Sequence, residues 1–359
     1  MQPTNKCIYC GEPADTKEHP LPAAFGEFEG APYLQDRICR PCNNARLGIL
    51  DEQLARCGPE GFFRRHYGVR GRANHDKVNP FYRGSAGGHR LDMKARDSKL
   101  GIDVLLECEN GVYRQARQLI FVEESGRVHH LPIREDLTHE QMRAAFEQLG
   151  VDKPFDVHFF CNPEEKASVE DLIKEMLPSA GFGEGGMSNA KYDGAVVTVE
   201  LTDRYFRAVA KIGFHYFLTQ FPEYTGHESI FSDIRQFILE DGQPVDRANE
   251  YVGKREHPLL GEMLTPGARP DGWQAHVLCA EIRPGECLAH VQTFVSEDWP
   301  APAYTIRLAC DSTVVDSRAF GHAYIYFLEG PKGKYTGEAL DLTTSRADHP
   351  APPVTPVIT

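Results

Sequence analysis

The chain has 359 residues, 41 % of them hydrophobic, and a formal net charge of −13 at pH 7. That is apolar material for two or three domains with real cores, which excludes a disordered chain. The acidic balance excludes a protein that coats nucleic acid with its whole surface, and no apolar run reaches the ~18 residues of a membrane span.

The charge is unevenly spread. Residues 1–100 hold 16 Lys+Arg against 12 Asp+Glu, leaving 23 against 40 for the remainder. The opening MQPTNKCIYC lacks the charged-then-apolar layout of a secretory leader, so a soluble cytoplasmic protein is expected. Four of the ten cysteines form two CxxC pairs, and in a reducing compartment such pairs hold zinc more often than disulfides. The other six (Cys57, Cys108, Cys161, Cys279, Cys287, Cys310) sit in apolar or strand-like context and read as small buried hydrophobes.

In chain order, residues 1–60 read as a cysteine-bounded unit. Cys7-x-x-Cys10 and Cys39-x-x-Cys42 supply the four thiolates of a closed structural zinc site. The 28 residues between them exceed a minimal zinc ribbon and predict a strand, a turn and a return strand ending at YLQDRIC. After Cys42, Leu47, Leu50 and Leu54 recur at helical steps from Asn43 as far as Gly58, which predicts a half-buried helix. Residues 61–99 are rich in Gly, Arg and aromatics without a clean period and read as a connecting or nucleic-acid-contacting segment. From Arg37 onward the chain is dense in arginine, and Arg40, Arg46, Arg64, Arg65, Arg70 and Arg72 are candidate phosphate contacts, since guanidinium forks neutralise phosphate oxygens.

From Leu100 to about 345 the pattern predicts an α+β domain. Apolar runs split by Asn110-Gly111 predict a hairpin. A helix starting at Thr138 and stopping at Gly150, a strand at DVHFFC and a helix over 166–177 follow. DGAVVTVELTD reads as a strand. In DRYFRAVAKIGFHYFLTQF, apolar residues recur at three- and four-residue steps, predicting a buried helix, and HESIFSDIRQFILEDG predicts another. Four strand-like runs (WQAHVLCAEI, ECLAHVQTFV, AYTIRLAC, GHAYIYFLEG) then predict an antiparallel sheet. The proline-rich residues 346–359 read as a disordered tail. Nucleotide hydrolysis, dinucleotide chemistry and serine hydrolysis lack their glycine-rich or GxSxG motifs. His129, His130, His215, His276 and His322 are expected to be satisfied polar groups. Asp51 reads as a packing or solvent-facing carboxylate.

The chemistry is expected at the N-terminus. A zinc tying the helix start to the first knuckle brings Asn43 toward Glu18 and His19, with Asn44 the alternative if the helix begins a residue later. Two oxygen donors, Glu18 and Asn43, suit a hard divalent cation with open positions for water and phosphate. A histidine, with an ordinary pKa near ~6.5, suits proton removal from water. With metal stabilising the developing charge, the products would be 5′-phosphate and 3′-hydroxyl ends.

The residues CIYC…EHPLP…ICRPCNN…G…LD resemble the zinc-bearing branch of the HNH endonucleases, the ββα-metal nucleases, over residues 5–58. The resemblance implies a treble-clef-like ββα-metal module with a structural zinc on Cys7, Cys10, Cys39 and Cys42. It also implies Glu18 and Asn43 as ligands of a catalytic Mg²⁺ or Mn²⁺, and His19 as general base. Pro22 matches the family's His-x-x-Pro pattern. Two positions depart: no Asn lies between His19 and Cys39, where Gln35 is nearest, and the acid is Glu instead of Asp. The expected function is metal-dependent cleavage of DNA, most readily double-stranded, in restriction or anti-phage defence. The alternative is a non-catalytic zinc module binding nucleic acid or protein, with a regulatory C-terminal domain.

Overall fold

The computed structural model describes residues 5–69, 91–98, 101–109, 111–133, 138–150, 154–161, 163–176, 194–199, 201–242, 244–255, 259, 274–296, 301–314, 317–326 and 336–341. Among them are seven α-helices and four sheets, so helix and antiparallel strand are mixed as expected. Arg70, Arg72 and the expected disordered tail at 346–359 lie outside the described residues.

The first knuckle leads into strands β1 (Lys17–Glu18), β2 (Glu27–Glu29) and β3 (Leu34–Gln35), with a 3-10 turn (Ala23–Phe25) before β2. The second opens a π-helical turn (Cys42–Leu47) continued by helices α1 (Gly48–Cys57) and α2 (Pro59–His66). β1 pairs antiparallel with β3, Glu18 opposite Leu34, which is the expected strand and return strand.

Two small sheets come next. β4 (Asp92–Asp97), β5 (Ile102–Glu109) and β6 (Val112–Gln115) join β10 (Val196–Thr198) in the order β10-β4-β5-β6. Glu109 faces Val112 across the expected hairpin, and Gly111 supplies the positive φ (74°) that such a turn demands. β7 (Gln118–Glu123), β8 (Val128–Pro132) and β9 (Pro154–Phe160) form the other, in the order β8-β7-β9. With it go α3 (His139–Leu149) and α4 (Lys166–Met176), around a separate core built on Leu119, Phe121, Leu172 and Ile173. α3 starts at Thr138 with a reciprocal capping box to Gln141 and stops at Gly150 in the left-handed region, as its sequence signals.

The rest of the chain builds the main body. α5 (Asp203–Gln220), α6 (Ser232–Leu239) and α7 (Val245–Tyr251) precede β11 (Val252–Lys254). The four expected C-terminal runs are β12 (Gln274–Arg283), β13 (Glu286–Ser296), β14 (Ala303–Cys310) and β15 (Arg318–Tyr326), followed by β16 (Thr336–Asp341). The sheet order is β11-β14-β13-β12-β15-β16-β2. Every pair is antiparallel except the last, where β2 joins β16 in parallel with Phe28 opposite Gly337. The insert between the zinc knuckles therefore supplies an edge strand of the main sheet.

α5 lies across that sheet and is buried at every position from Tyr205 to Leu218, the signature of a core helix. Gly213 permits the approach, because a Cβ there would stand 3.0 Å from the Ala289 Cβ and 3.1 Å from Ile306 Cδ1. On its other side α5 meets α1. One hydrophobic cluster runs without a break from Cys7, Ile8 and Leu50 through Phe206 and Phe217 to Leu278, Ile306 and Tyr324.

Candidate functional site

Both knuckles are shaped by their own backbone. Gly11 turns the first with φ 78°, donating to the Cys7 carbonyl at 2.8 Å, and the Ile8 amide reaches the Arg37 carbonyl at 3.0 Å, which joins the two knuckles. In the second, the Asn43 amide donates to the Cys39 carbonyl at 2.9 Å and starts the helical path. The Sγ atoms of Cys7, Cys10, Cys39 and Cys42 all lie within 4.8 Å of one another, and those of Cys10 and Cys39 are 3.5 Å apart. A tetrahedral zinc with ~2.3 Å Zn–S bonds needs sulfurs about 3.8 Å apart, so the four thiols fit a structural zinc. Among the described residues this is the only group of three or more Cys, His, Asp or Glu clustered closely enough to hold a metal.

β1 ends in Glu18, and His19 follows it immediately. Alternation along the strand turns Glu18 inward, where it is 8 % exposed, and leaves Lys17 on the surface with its ammonium 3.7 Å from the Tyr33 ring centre. Glu18 meets α5. The Lys211 ammonium, wholly buried, lies 2.7 Å from Glu18 Oε1 and 2.8 and 2.9 Å from the two carboxylate oxygens of Asp51 on α1. Three N–H donors thus meet three carboxylate oxygens. One turn further along α5, His215 Nδ1 stands 3.7 Å from Glu18 Oε1, too far for a hydrogen bond, and Nε2 lies 2.8 Å from the Tyr9 hydroxyl.

Burial pushes the Glu18 carboxyl up, but the Lys211 charge overcomes it and holds the group far below the usual carboxylate range. Burial also acts against the Lys211 charge, yet Asp51 and Glu18 together raise it above its ordinary value. The centre is therefore an ionised lysine between two acids. Burial lowers His215, so its imidazole is neutral.

His19 is half-buried, its ring 6.0 Å from that of Tyr33. It lines a pocket of about 160 Å³ together with Leu21, Phe28, Pro32 and, from β15, Tyr324. Asn43 is half-buried at the head of the π-helical turn, in which its carbonyl accepts from the Gly48 amide five residues on. Leu47, Leu50 and Leu54 are buried, as their spacing predicts, while Asn44, Ala45 and Arg46 are exposed.

The arginines divide. Arg40 and Arg46 are exposed, and Arg40 sits 4.0 Å from Asp15. Arg65 is half-buried. Arg64 departs from the expected phosphate-contacting set: it is buried, donating from Nε to the Ala24 carbonyl at 2.8 Å and from Nη1 to the Ala55 carbonyl at 2.7 Å. Its side chain ties α2 to the insert between the knuckles and has no path to a phosphate. Arg37, from the same basic stretch, donates to the carbonyls of Tyr224 and Pro222 beyond α5.

The catalytic Mg²⁺ or Mn²⁺ implied by the resemblance does not fit the residues as they stand. One oxygen of the Glu18 carboxylate already faces Lys211 Nζ at 2.7 Å. A divalent ion on the same carboxylate would stand within a few ångströms of a buried ammonium, and that repulsion is poorly screened. Asp51, Lys211, His215 and Tyr9 are the members of this centre that the sequence reading did not assign. A signal for two of them existed: Arg207, Lys211 and His215 form a polar stripe at four-residue steps along an otherwise apolar helix.

Comparison with protein-family models, with curated proteins and with solved structures finds no match for this chain.

Proposed function

We propose that the chain is a DNA phosphodiesterase whose hydrolytic base is His19, presented by a zinc-held pair of strands and a helix. The observation that carries this reading is the position of His19: directly after the ion-paired Glu18, in the insert between the two cysteine pairs, and on the wall of a pocket. His19 removes a proton from the attacking water. Lys17, on the surface two residues away, together with exposed Arg40 and Arg46, offers positive charge to the phosphate. Glu18, held by Lys211, fixes the end of β1 and so the place from which His19 projects. No step is assigned to Mg²⁺ or Mn²⁺.

The test is nicking of supercoiled plasmid by zinc-loaded protein in Mg²⁺, in Mn²⁺ and with neither. Wild type is expected to nick, and His19→Ala to lose 10²-fold or more, the contribution of a general base. Equal cutting by both proteins removes His19 from the mechanism. A second reading, a zinc-held module that binds nucleic acid or protein without catalysis, is favoured by the engagement of Glu18 with Lys211. It predicts plasmid retention on a gel without nicking under any of the three conditions.

A further inference from the structure

Ile8 and Tyr9 stand between the two cysteines of the first knuckle, and both reach α5 or the loop beyond it. Ile8 is 3 % exposed and meets Gly226, where a Cβ would stand 3.0 Å from Ile8 Cγ2 and 2.9 Å from Leu218 Cδ1. The Tyr9 hydroxyl lies 2.8 Å from Nε2 of the wholly buried His215. The other ring nitrogen decides which group gives the hydrogen. His215 Nδ1 has no hydrogen-bond partner among the described residues, and a carboxylate oxygen of Glu18 stands 3.7 Å from it. In a buried setting a lone pair facing that charge is unfavourable and an N–H is favourable, so Nδ1 carries the hydrogen. Nε2 is then bare and accepts from Tyr9.

The segment around Tyr9 lies mostly in solvent: Asn5, Lys6, Cys10, Gly11, Glu12 and Pro13 are all exposed. Two of its backbone bonds are internal, from the Gly11 amide to the Cys7 carbonyl and from the Cys7 amide to the Glu12 carbonyl. A zinc on Cys7 and Cys10 fixes the backbone on both sides of Tyr9, because one ligand precedes it by two positions and the other follows it directly. Without that constraint every residue of the segment regains conformational freedom, and the sum outweighs one neutral hydrogen bond.

We infer that zinc binding and the docking of the first knuckle on α5 are one event, and that Tyr9 and His215, neither of them a ligand, are positioning residues that set the affinity of the four-cysteine site. Groups just outside a coordination shell act in this way by orienting the ligands. Coupling of this kind is reciprocal: an ion that strengthens the docking also strengthens the hold on His215, which lies beside Glu18 and one turn from Lys211. The state of the zinc site thus reaches the surroundings of Glu18 through α5. No cleavage activity is involved.

The test measures the zinc affinity of the full chain by competition with a chromophoric chelator, with circular dichroism to verify each fold. Tyr9→Phe and His215→Leu are each expected to bind zinc about ten-fold more weakly than wild type. The double variant should bind no more weakly than the weaker single one, since both substitutions delete the same bond. His215→Gln, whose side-chain amide offers an oxygen near the place of Nε2, should restore most of the affinity. Tyr216→Phe is the control. It removes a 2.6 Å bond from the same helix to His322 of the main sheet, so a fall caused by general destabilisation would appear there too. It should bind zinc like wild type. Wild-type affinity in both single variants, additive losses in the double variant, no recovery in His215→Gln, or an equal fall in Tyr216→Phe overturns the inference.

Discussion

Replacing Lys211 by methionine probes the centre on which the N-terminal site is mounted. Methionine keeps the length and apolar stem of lysine but deletes the charge, so packing against the core changes little. What changes is electrostatic. Glu18 is 8 % exposed and loses the cation 2.7 Å away, while Asp51, with 28 % of its side chain open to solvent, keeps part of its hydration. Removing one partner of a buried ion pair typically costs about 3–5 kcal/mol, mostly the penalty of the charge left behind. With one acid buried and the other partly hydrated, the lower half of that range, about 3–4 kcal/mol, is the expected loss for Lys211→Met. Because the cost resides in Glu18, the double variant Lys211→Met/Glu18→Gln should recover most of it, giving a strongly positive coupling in a double-mutant cycle. Urea unfolding followed by far-ultraviolet circular dichroism at pH 7.5, with all four proteins loaded with zinc, measures these differences. A loss below about 1 kcal/mol for the single variant, or a double variant no more stable than the single, would refute the reasoning, since either means that Glu18 is not charged against Lys211 in the folded chain.

Three further outcomes are expected. One zinc per chain should be found by metal analysis, and Cys39→Ser should lower that stoichiometry and the thermal midpoint together, since all four thiols contribute to the closed set. Mn²⁺ binding followed by electron paramagnetic resonance should show no tight site on zinc-loaded wild type but one on Lys211→Ala, where Glu18 and Asp51 face each other without their ammonium; a tight wild-type site abolished by Glu18→Gln would contradict the ion-pair assignment. Glu60, 4 % exposed between the hydroxyls of Thr293 and Tyr205, has its carboxyl pushed up by burial to about 7. Its folded pKa lies above its unfolded one, so the associated stability is full below about pH 4.5 and is lost as pH rises to about 7, by roughly 3 kcal/mol; Glu60→Gln should be the more stable protein at pH 8, and that advantage should vanish at pH 5.

Local chemistry made much of the fold legible. Each CxxC pair, the capped helix at Thr138, the Asn110-Gly111 hairpin, the buried helix α5 and four C-terminal strands are signalled by residues close together in the chain, and such signals survive in any tertiary setting. The charge partners of Glu18 did not have that property. Glu18 and Lys211 are separated by nearly 200 positions, and Glu18 alone offers no hint that its counter-ion is a side chain and not a metal. Asp51 looked like an ordinary helix carboxylate because its role is set by the helix it faces. β2 was illegible for another reason: three residues, Glu27–Glu29, become a strand only by pairing with β16, some 300 positions away. The π-helical turn after Cys42 was equally hidden, since no local residue demands the wider spacing of its hydrogen bonds.

These long-range ties bear on what residues beyond 100 do for the N-terminal site. A freestanding zinc module would neutralise its own acid and cover its own helix. Here the acid at the end of β1 is neutralised from α5, α1 packs on the same helix, the edge strand β2 is hydrogen-bonded into the main sheet, and Tyr324 completes the pocket next to His19. Residues 1–60 cut from the chain would therefore expose Leu50, Leu54 and Phe25, each at most 1 % exposed in the whole protein, and would leave Glu18 without its cation. The orientation of Glu18 and His19 is thus a property of the whole body. Whatever displaces α5 by one turn moves Lys211 and His215 together, because both belong to the same rigid stripe, and so alters the charge behind β1 in a single step. The large acidic region is in this sense part of the site's construction, and it meets the strand that carries Glu18 through two side chains four residues apart.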